Sequence, residues 1–216
     1  MPAPIDPILV KKESEKIILA LGGEVLDTLP WLERTEPRSQ SDAVVRALIL
    51  NATLQIYFGA PTSVIRDWVA RNNLTSHLSN AEQELLTKIN SDLTEQERTN
   101  LFWSIEALWA LAWAGSLIDD VPIELPVGNN LAGFMPDLQK NEDGTKLESK
   151  FRLRSADDVY GKLDLYFRAH WYARNGNLTG KPTGVFDLDR IMERRKALEW
   201  LSDRSIHDWD DTPDCT

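Results

Sequence analysis

Cysteine is nearly absent from this sequence: the one thiol is Cys215, beside the last residue, so no disulfide can form within the chain. Cys215 is also misplaced for prenylation, which needs cysteine fourth from the end. Met1 to Val10 lack the basic start, apolar stretch and small-residue cleavage site of a secretory signal. These absences lead us to expect a cytoplasmic protein and deprive the sequons at Asn51, Asn73 and Asn177 of meaning. Positive charge is scarce as well: 24 Lys and Arg face 34 Asp and Glu, a formal charge of −10. A diffuse negative field repels phosphate backbones and anionic lipid, so nucleic acid and membrane surfaces are poor partners, whereas a basic protein is attracted.

Several catalytic signatures are missing. There is no Gly-rich phosphate loop, no HExxH, no Cys-x-x-Cys and no Gly-x-Ser-x-Gly elbow, and no cofactor or metal is called for. Leu101 to Ile118 is the one run apolar enough to suggest a membrane span. Glu106 interrupts it, its tryptophans (103, 109 and 113) are scattered rather than belted at the ends, and no basic cluster flanks it. We read it as a central core helix.

The residues that are present spell helices. Apolar spacing predicts helices from about Leu9 to Leu21, from a Ser41 cap to about Phe58, from a Thr62 cap over Ser63 to Arg71, and from Ser79 over Asn80 to Ile89. Thr94 with Glu97 forms a capping-box pair that starts the Trp-rich helix at Glu95, and the pattern runs to about Leu117. Residues 119–153, rich in Pro and Gly, predict short helical turns, a surface turn at Asn141 to Thr145 and an extended Phe151 to Arg154. Ser155 caps a helix to about Arg174, Asn175 to Gly184 reads as a loop, and Asp187 caps the last helix, Leu188 to about Ser202. The expected fold is mainly α: a single compact helical domain, 1–216, of six to eight helices around the Trp-rich one, with little or no β. Within it, 1–93 supplies the amino-terminal helices and 94–216 the core region.

A few polar groups stand where an apolar core should be. Glu106 is surrounded on the helical wheel by Phe102, Trp103, Trp109 and Ala110, which desolvates its carboxylate unless a cation compensates. Arg46, Arg168 and Arg194 are the candidate partners. Asp164 and Arg168 are spaced to form a helical salt bridge, and His170 beside Trp171 reads as a hydrogen-bonded core histidine, or as a zinc ligand with Glu106 and an aspartate. In the tail, Trp209 is expected to plug into the core, while Asp208, Asp210, Asp211 and Asp214 stay wet or cap the preceding helix. Arg190, Arg194, Arg195 and Lys196 spread around the last helix and read as a solvated face.

Several of these segments together resemble the bacterial domain-of-unknown-function family 4272. The resemblance rests on Trp103-x-x-Glu106-Ala107-x-Trp109 with Trp113, on Arg154-Ser155, and on Asp164-Leu165-Tyr166-x-Arg168-x-His170-Trp171. It extends through Glu193-Arg194-x-x-Ala197-Leu198-x-Trp200-Leu201 and Trp209-Asp210-Asp211. It is clearest from residue 94 onward and looser before, through Leu29-Pro30 and Arg46-Ala47-Leu48. It implies no activity; it implies that the motif positions act together, in a shared site or a shared core.

Three functions fit. The first is an interaction or binding protein that presents an acidic helical surface to a basic partner. The second is a metal-assisted hydrolase using Glu106, Asp164 and His170, with Arg168 as a further catalytic candidate and Asp210 nearby. The third is a scaffold whose tryptophans line an apolar ligand pocket. Geometry separates them. Convergence of Glu106, Arg168, His170 and Asp210 on an open cleft favours catalysis or ligand binding, and mutual satisfaction inside the core favours interaction. The sequence sets no oligomeric state.

Overall fold

The computed structural model describes residues 5–213; Asp214 and Cys215 lie outside them. Among the described residues there are nine α-helices and no strand: α1 (Pro7–Ala20), α2 (Gln40–Tyr57), α3 (Thr62–Arg71), α4 (Asn80–Leu85), α5 (Glu95–Ala114), α6 (Leu131–Phe134), α7 (Thr145–Lys150), α8 (Ala156–Thr179) and α9 (Leu188–Ser202). The mainly α expectation holds, with α6 and α7 as the short turns inside 119–153. No described helix is long and apolar enough to cross a membrane.

The helix starts follow cap chemistry. Ser79, Thr94, Ser155 and Asp187 each accept a backbone N–H of the first turn, as expected. The cap of α2, however, is Ser39 rather than Ser41. Ser39 has Asp42 three residues on to return the bond, at 2.9 Å from the Ser39 N–H, whereas Ser41 has Val44 there and can close no capping box. Thr62 is likewise inside α3 and caps nothing: its hydroxyl donates to the Lys88 carbonyl at 2.6 Å and its N–H to Asn90 Oδ1 at 2.9 Å. Those bonds tie down residues 88–90, and α4 accordingly ends at Leu85, short of Ile89.

Helix ends depended on packing. α5 stops at Ala114 because Ser116 takes a left-handed φ of 55° and Leu117 N–H returns to the Ala112 carbonyl at 2.9 Å. The extended stretch 151–154 then lies against this end, with Arg152 and Arg154 N–H bonded to the Gly115 and Ala114 carbonyls at 2.9 and 2.8 Å. A Cβ on Gly115 would stand 2.2 Å from the fully buried Phe151 ring. Gly115→Ala should therefore cost about 1–3 kcal/mol of overpacking, read as a lower urea midpoint at unchanged slope. α8 runs on through Asn175 to Thr179, where a loop was expected. Gly180, at φ 68°, ends it, and Lys181 N–H closes onto Gly176 at 2.9 Å.

α5 packs against α2 on one side and α9 on the other, while α8 packs against α9 and α1. The helix between the Trp-rich rod and α8 is thus α9. Its basic run is not a solvated face: Arg194 and Arg195 are 0% and 4% exposed. Their charges are tolerable there because each meets a partner from a neighbouring helix. One core runs through all these layers. Phe102, by contrast, is exposed and lies with Tyr57 and Phe58 in a surface aromatic cluster, with ring centroids 5.2 Å (Tyr57 to Phe102) and 5.3 Å (Tyr57 to Phe58) apart.

Candidate functional site

Glu106, 4% exposed, meets Arg194. Arg194 Nε donates to Glu106 Oε2 at 2.8 Å, and Nη2 lies 2.6 Å from the same oxygen. The remaining donors go to backbone and phenol: Nη1 to the Pro122 carbonyl at 2.7 Å and to Tyr166 Oη at 3.0 Å, Nη2 to the Leu125 carbonyl at 2.8 Å. Tyr166 Oη donates onward to the Val121 carbonyl at 2.9 Å, and Arg190 Nη1 donates to that of Ile123 at 3.2 Å. This junction binds α5, α8 and α9 together and ties the chain from Val121 to Leu125 onto them, a stretch with no helix of its own. Burial pushes the Glu106 carboxyl above its ordinary range while the Arg194 charge opposes it, and burial pushes the Tyr166 phenol up to about 12.

The other polar motif residues belong to separate junctions. Asp164 and Arg168, one turn apart on α8, pair bidentately at 2.8 and 2.9 Å, and Arg168 Nη2 also donates to the Pro30 carbonyl at 3.0 Å. Glu15 of α1 stands 3.7 Å from the same guanidinium. His170 Nδ1 lies 2.7 Å from Arg195 Nη1; arginine can only donate, so this ring nitrogen is the acceptor. Among the described residues, no three His, Cys, Asp or Glu side chains are grouped so that they could hold a metal ion. Arg46, the third candidate for Glu106, pairs instead with Glu82 of α4.

The tail folds back across α4 and α9. Asp210 accepts the Ala81 N–H at 2.8 Å and Asp208 that of Asn80 at 3.2 Å, so these aspartates cap α4 and not the preceding helix. Trp209, 7% exposed, meets Trp200 edge-on at 5.6 Å, with the Arg46 and Lys196 cations 4.9 and 5.0 Å from its ring centroid.

Trp209 also floors a groove of about 270 Å³ between α2, α4, α5, α9 and the tail. Leu50, Leu85 and Leu101 complete its apolar base. Its walls carry five carboxylates (Glu82, Glu84, Glu97, Glu193 and Asp210) against one ammonium, Lys196. Four of the five are engaged. Glu82 pairs with Arg46, Glu84 and Glu97 share Lys88 at 3.2 and 2.6 Å, and Asp210 caps α4. Glu193 makes no hydrogen bond or ion pair among the described residues, and burial raises its pKa, with Lys196 opposing.

A family model described as "Domain of unknown function (DUF4272)" matches residues 10–212. The chain belongs to this family. Neither the curated proteins nor the solved structures contain a match.

In this DUF4272 chain, the polar residues singled out in the sequence lie on α5 (Glu106), α8 (Asp164, Arg168 and His170), α9 (Arg194) and the tail (Asp210), and they form separate pairs rather than one site. Glu106 and Arg194 come together, as do Asp164 and Arg168; His170 joins Arg195, and Asp210 stands apart at α4. Sequence reasoning missed Arg154 as an organiser. Its Nε donates to the Trp113 carbonyl at 2.7 Å and its Nη2 to that of Ile118 at 2.9 Å, across the end of α5. It also missed the groove. Glu193 had been noted only as the neighbour of Arg194, and one step of 100° around α9 carries it from the buried junction to the groove wall.

Proposed function

We propose that this protein is a cytoplasmic interaction protein whose acidic groove receives a basic, partly apolar segment of another protein. The observation that carries this reading is the groove: a leucine and tryptophan base beneath five carboxylates, three of them paired with Arg46 or Lys88 and Glu193 left without a bonded cation, on a chain of net charge −10. Such a surface attracts cations over a distance and rewards the burial of an apolar side chain once they arrive. At about 270 Å³ it suits one or two anchoring side chains rather than a whole ligand. The cysteine-poor sequence supports a reducing compartment.

The hydrolase alternative draws less support, because Glu106, Asp164 and His170 are each committed to a different arginine.

The test is a titration of ¹⁵N-labelled protein with a helical peptide of alternating lysine, arginine and leucine, against a control with the basic residues changed to glutamate. Saturable shifts should be confined to Leu85, Leu101 and the Trp209 indole, and should weaken at high salt. Glu84→Lys, at an exposed wall position, should weaken binding by about threefold to tenfold. Shifts spread over the whole acidic surface, or equal binding of the acidic control, would overturn the reading.

A further inference from the structure

We infer that Glu193 is the specificity-determining anchor of the groove, the carboxylate that takes the guanidinium or ammonium of the incoming segment. This rests on the groove reading above and adds the residue and the chemistry that it selects. The other helix-borne motif acids, Glu106 and Asp164, are bonded to arginines inside the protein. Glu193 sits on α9 between Asp189 and Lys196 and lines the cleft, yet it bonds to neither them nor any other described residue.

A half-buried carboxylate that lines a cleft and has no bonded cation is open to a cation that enters the cleft. Burial raises its proton affinity accordingly. Lys196 offsets its charge only in part, and Asp189 of α9 and Glu106 of α5 oppose it. The other charged wall residues, Glu82 and Glu84 from α4, Glu97 from α5 and Asp210 from the tail, are all acids, and α2 presents the uncharged Leu50 and Thr53. Lys196 is the sole cation of the wall, and it lies over the Trp209 ring at 5.0 Å. A guanidinium or ammonium entering over the leucine base would supply the missing counter-charge. A neutral or acidic side chain would cover the carboxylate without pairing it, which is the basis of selection.

Glu193→Gln keeps the shape and removes the charge. Because the charged form is the costly one in the folded state, the variant should melt at or above the temperature of the parent protein. Its affinity for the lysine-arginine-leucine peptide should fall by about tenfold or more, whereas a peptide with norleucine at the anchoring position should bind both proteins equally. Parent affinity should also decline on mild acidification, as Glu193 takes up its proton above the ordinary glutamate range, and Glu193→Gln should lose that part of the pH profile. If the peptide seats in the groove and Glu193→Gln binds it unchanged, the anchor is wrong and the groove reading stands. If the peptide does not bind the parent protein at all, both fall.

Discussion

Arg194→Leu should destabilise the protein by about 3–5 kcal/mol, the typical loss when one partner of a buried ion pair is removed. In a domain of this size that lowers the melting temperature by roughly 10 °C. Arg194 is fully buried and directs all its donors to acceptors: one carboxylate, one phenol and the carbonyls of Pro122 and Leu125. Leucine fills part of the space but takes the bonded cation from Glu106, leaving only Arg190 Nε at 3.7 Å, and strips the donors from those carbonyls. Glu106→Gln removes the charge yet keeps an acceptor for Arg194, so its loss should be smaller, about 1–2 kcal/mol. Arg194→Lys should resemble leucine more than arginine, since one ammonium cannot span acceptors arranged around a planar fork. Calorimetry ranks the three variants, and limited proteolysis locates the damage. Because Val121 to Leu125 has no helix to hold it, cleavage should appear there first. An Arg194→Leu protein that melts within about a degree of the parent would remove this junction from the account of the fold.

Trp209→Ala should cost about 3–5 kcal/mol, as expected for emptying a buried indole site. The loss has two parts. One is the packed ring itself, set edge-on against Trp200 and beneath two cations. The other is the tail: without the indole, nothing apolar holds residues 208–210 over α4, and the caps on Asn80 and Ala81 go with it. Hydrogen exchange separates the two. The Ala81 amide should lose protection in Trp209→Ala even where global stability remains high, whereas Asp210→Ala, which removes the acceptor, should expose the same amide at a cost of only about 1 kcal/mol. Because Trp209 floors the groove, its loss should also abolish basic-peptide binding. Retained Ala81 protection in Trp209→Ala would mean that the tail is held by something other than its tryptophan.

Much of the fold was legible because it is local. The Thr94 and Glu97 pair marked the first residue of α5, Asp187 marked that of α9, and the apolar run from Leu101 marked a helix for the core. These signals act within a turn or two of chain. The errors fell where a distant residue decided the outcome. Thr62 looks like a cap until residues 88–90 arrive to claim its hydroxyl and N–H. Asn175 to Gly184 looks like a loop because its glycines are poor helix formers, yet Gly176 is inside the helix, where a Cβ would strike Thr183 at 2.1 Å. Arg195 looks solvated on charge alone and is buried against His170.

The candidate site divides the same way. That Glu106 needed a cation followed from its wheel neighbours, because an unpaired carboxylate among tryptophans is too costly to persist. Which of three arginines supplied the cation did not follow, since Arg46, Arg168 and Arg194 all lie on helices and periodicity does not say which helices touch. By itself the chain determined its helices, its acidity and the demand for buried ion pairs, all consequences of short-range chemistry. Helix packing decided the pairing, put α9 between α5 and α8, and left Glu193 unpaired on a groove wall. Both outcomes depend on how rigid rods pack in three dimensions, which a linear order of residues does not specify.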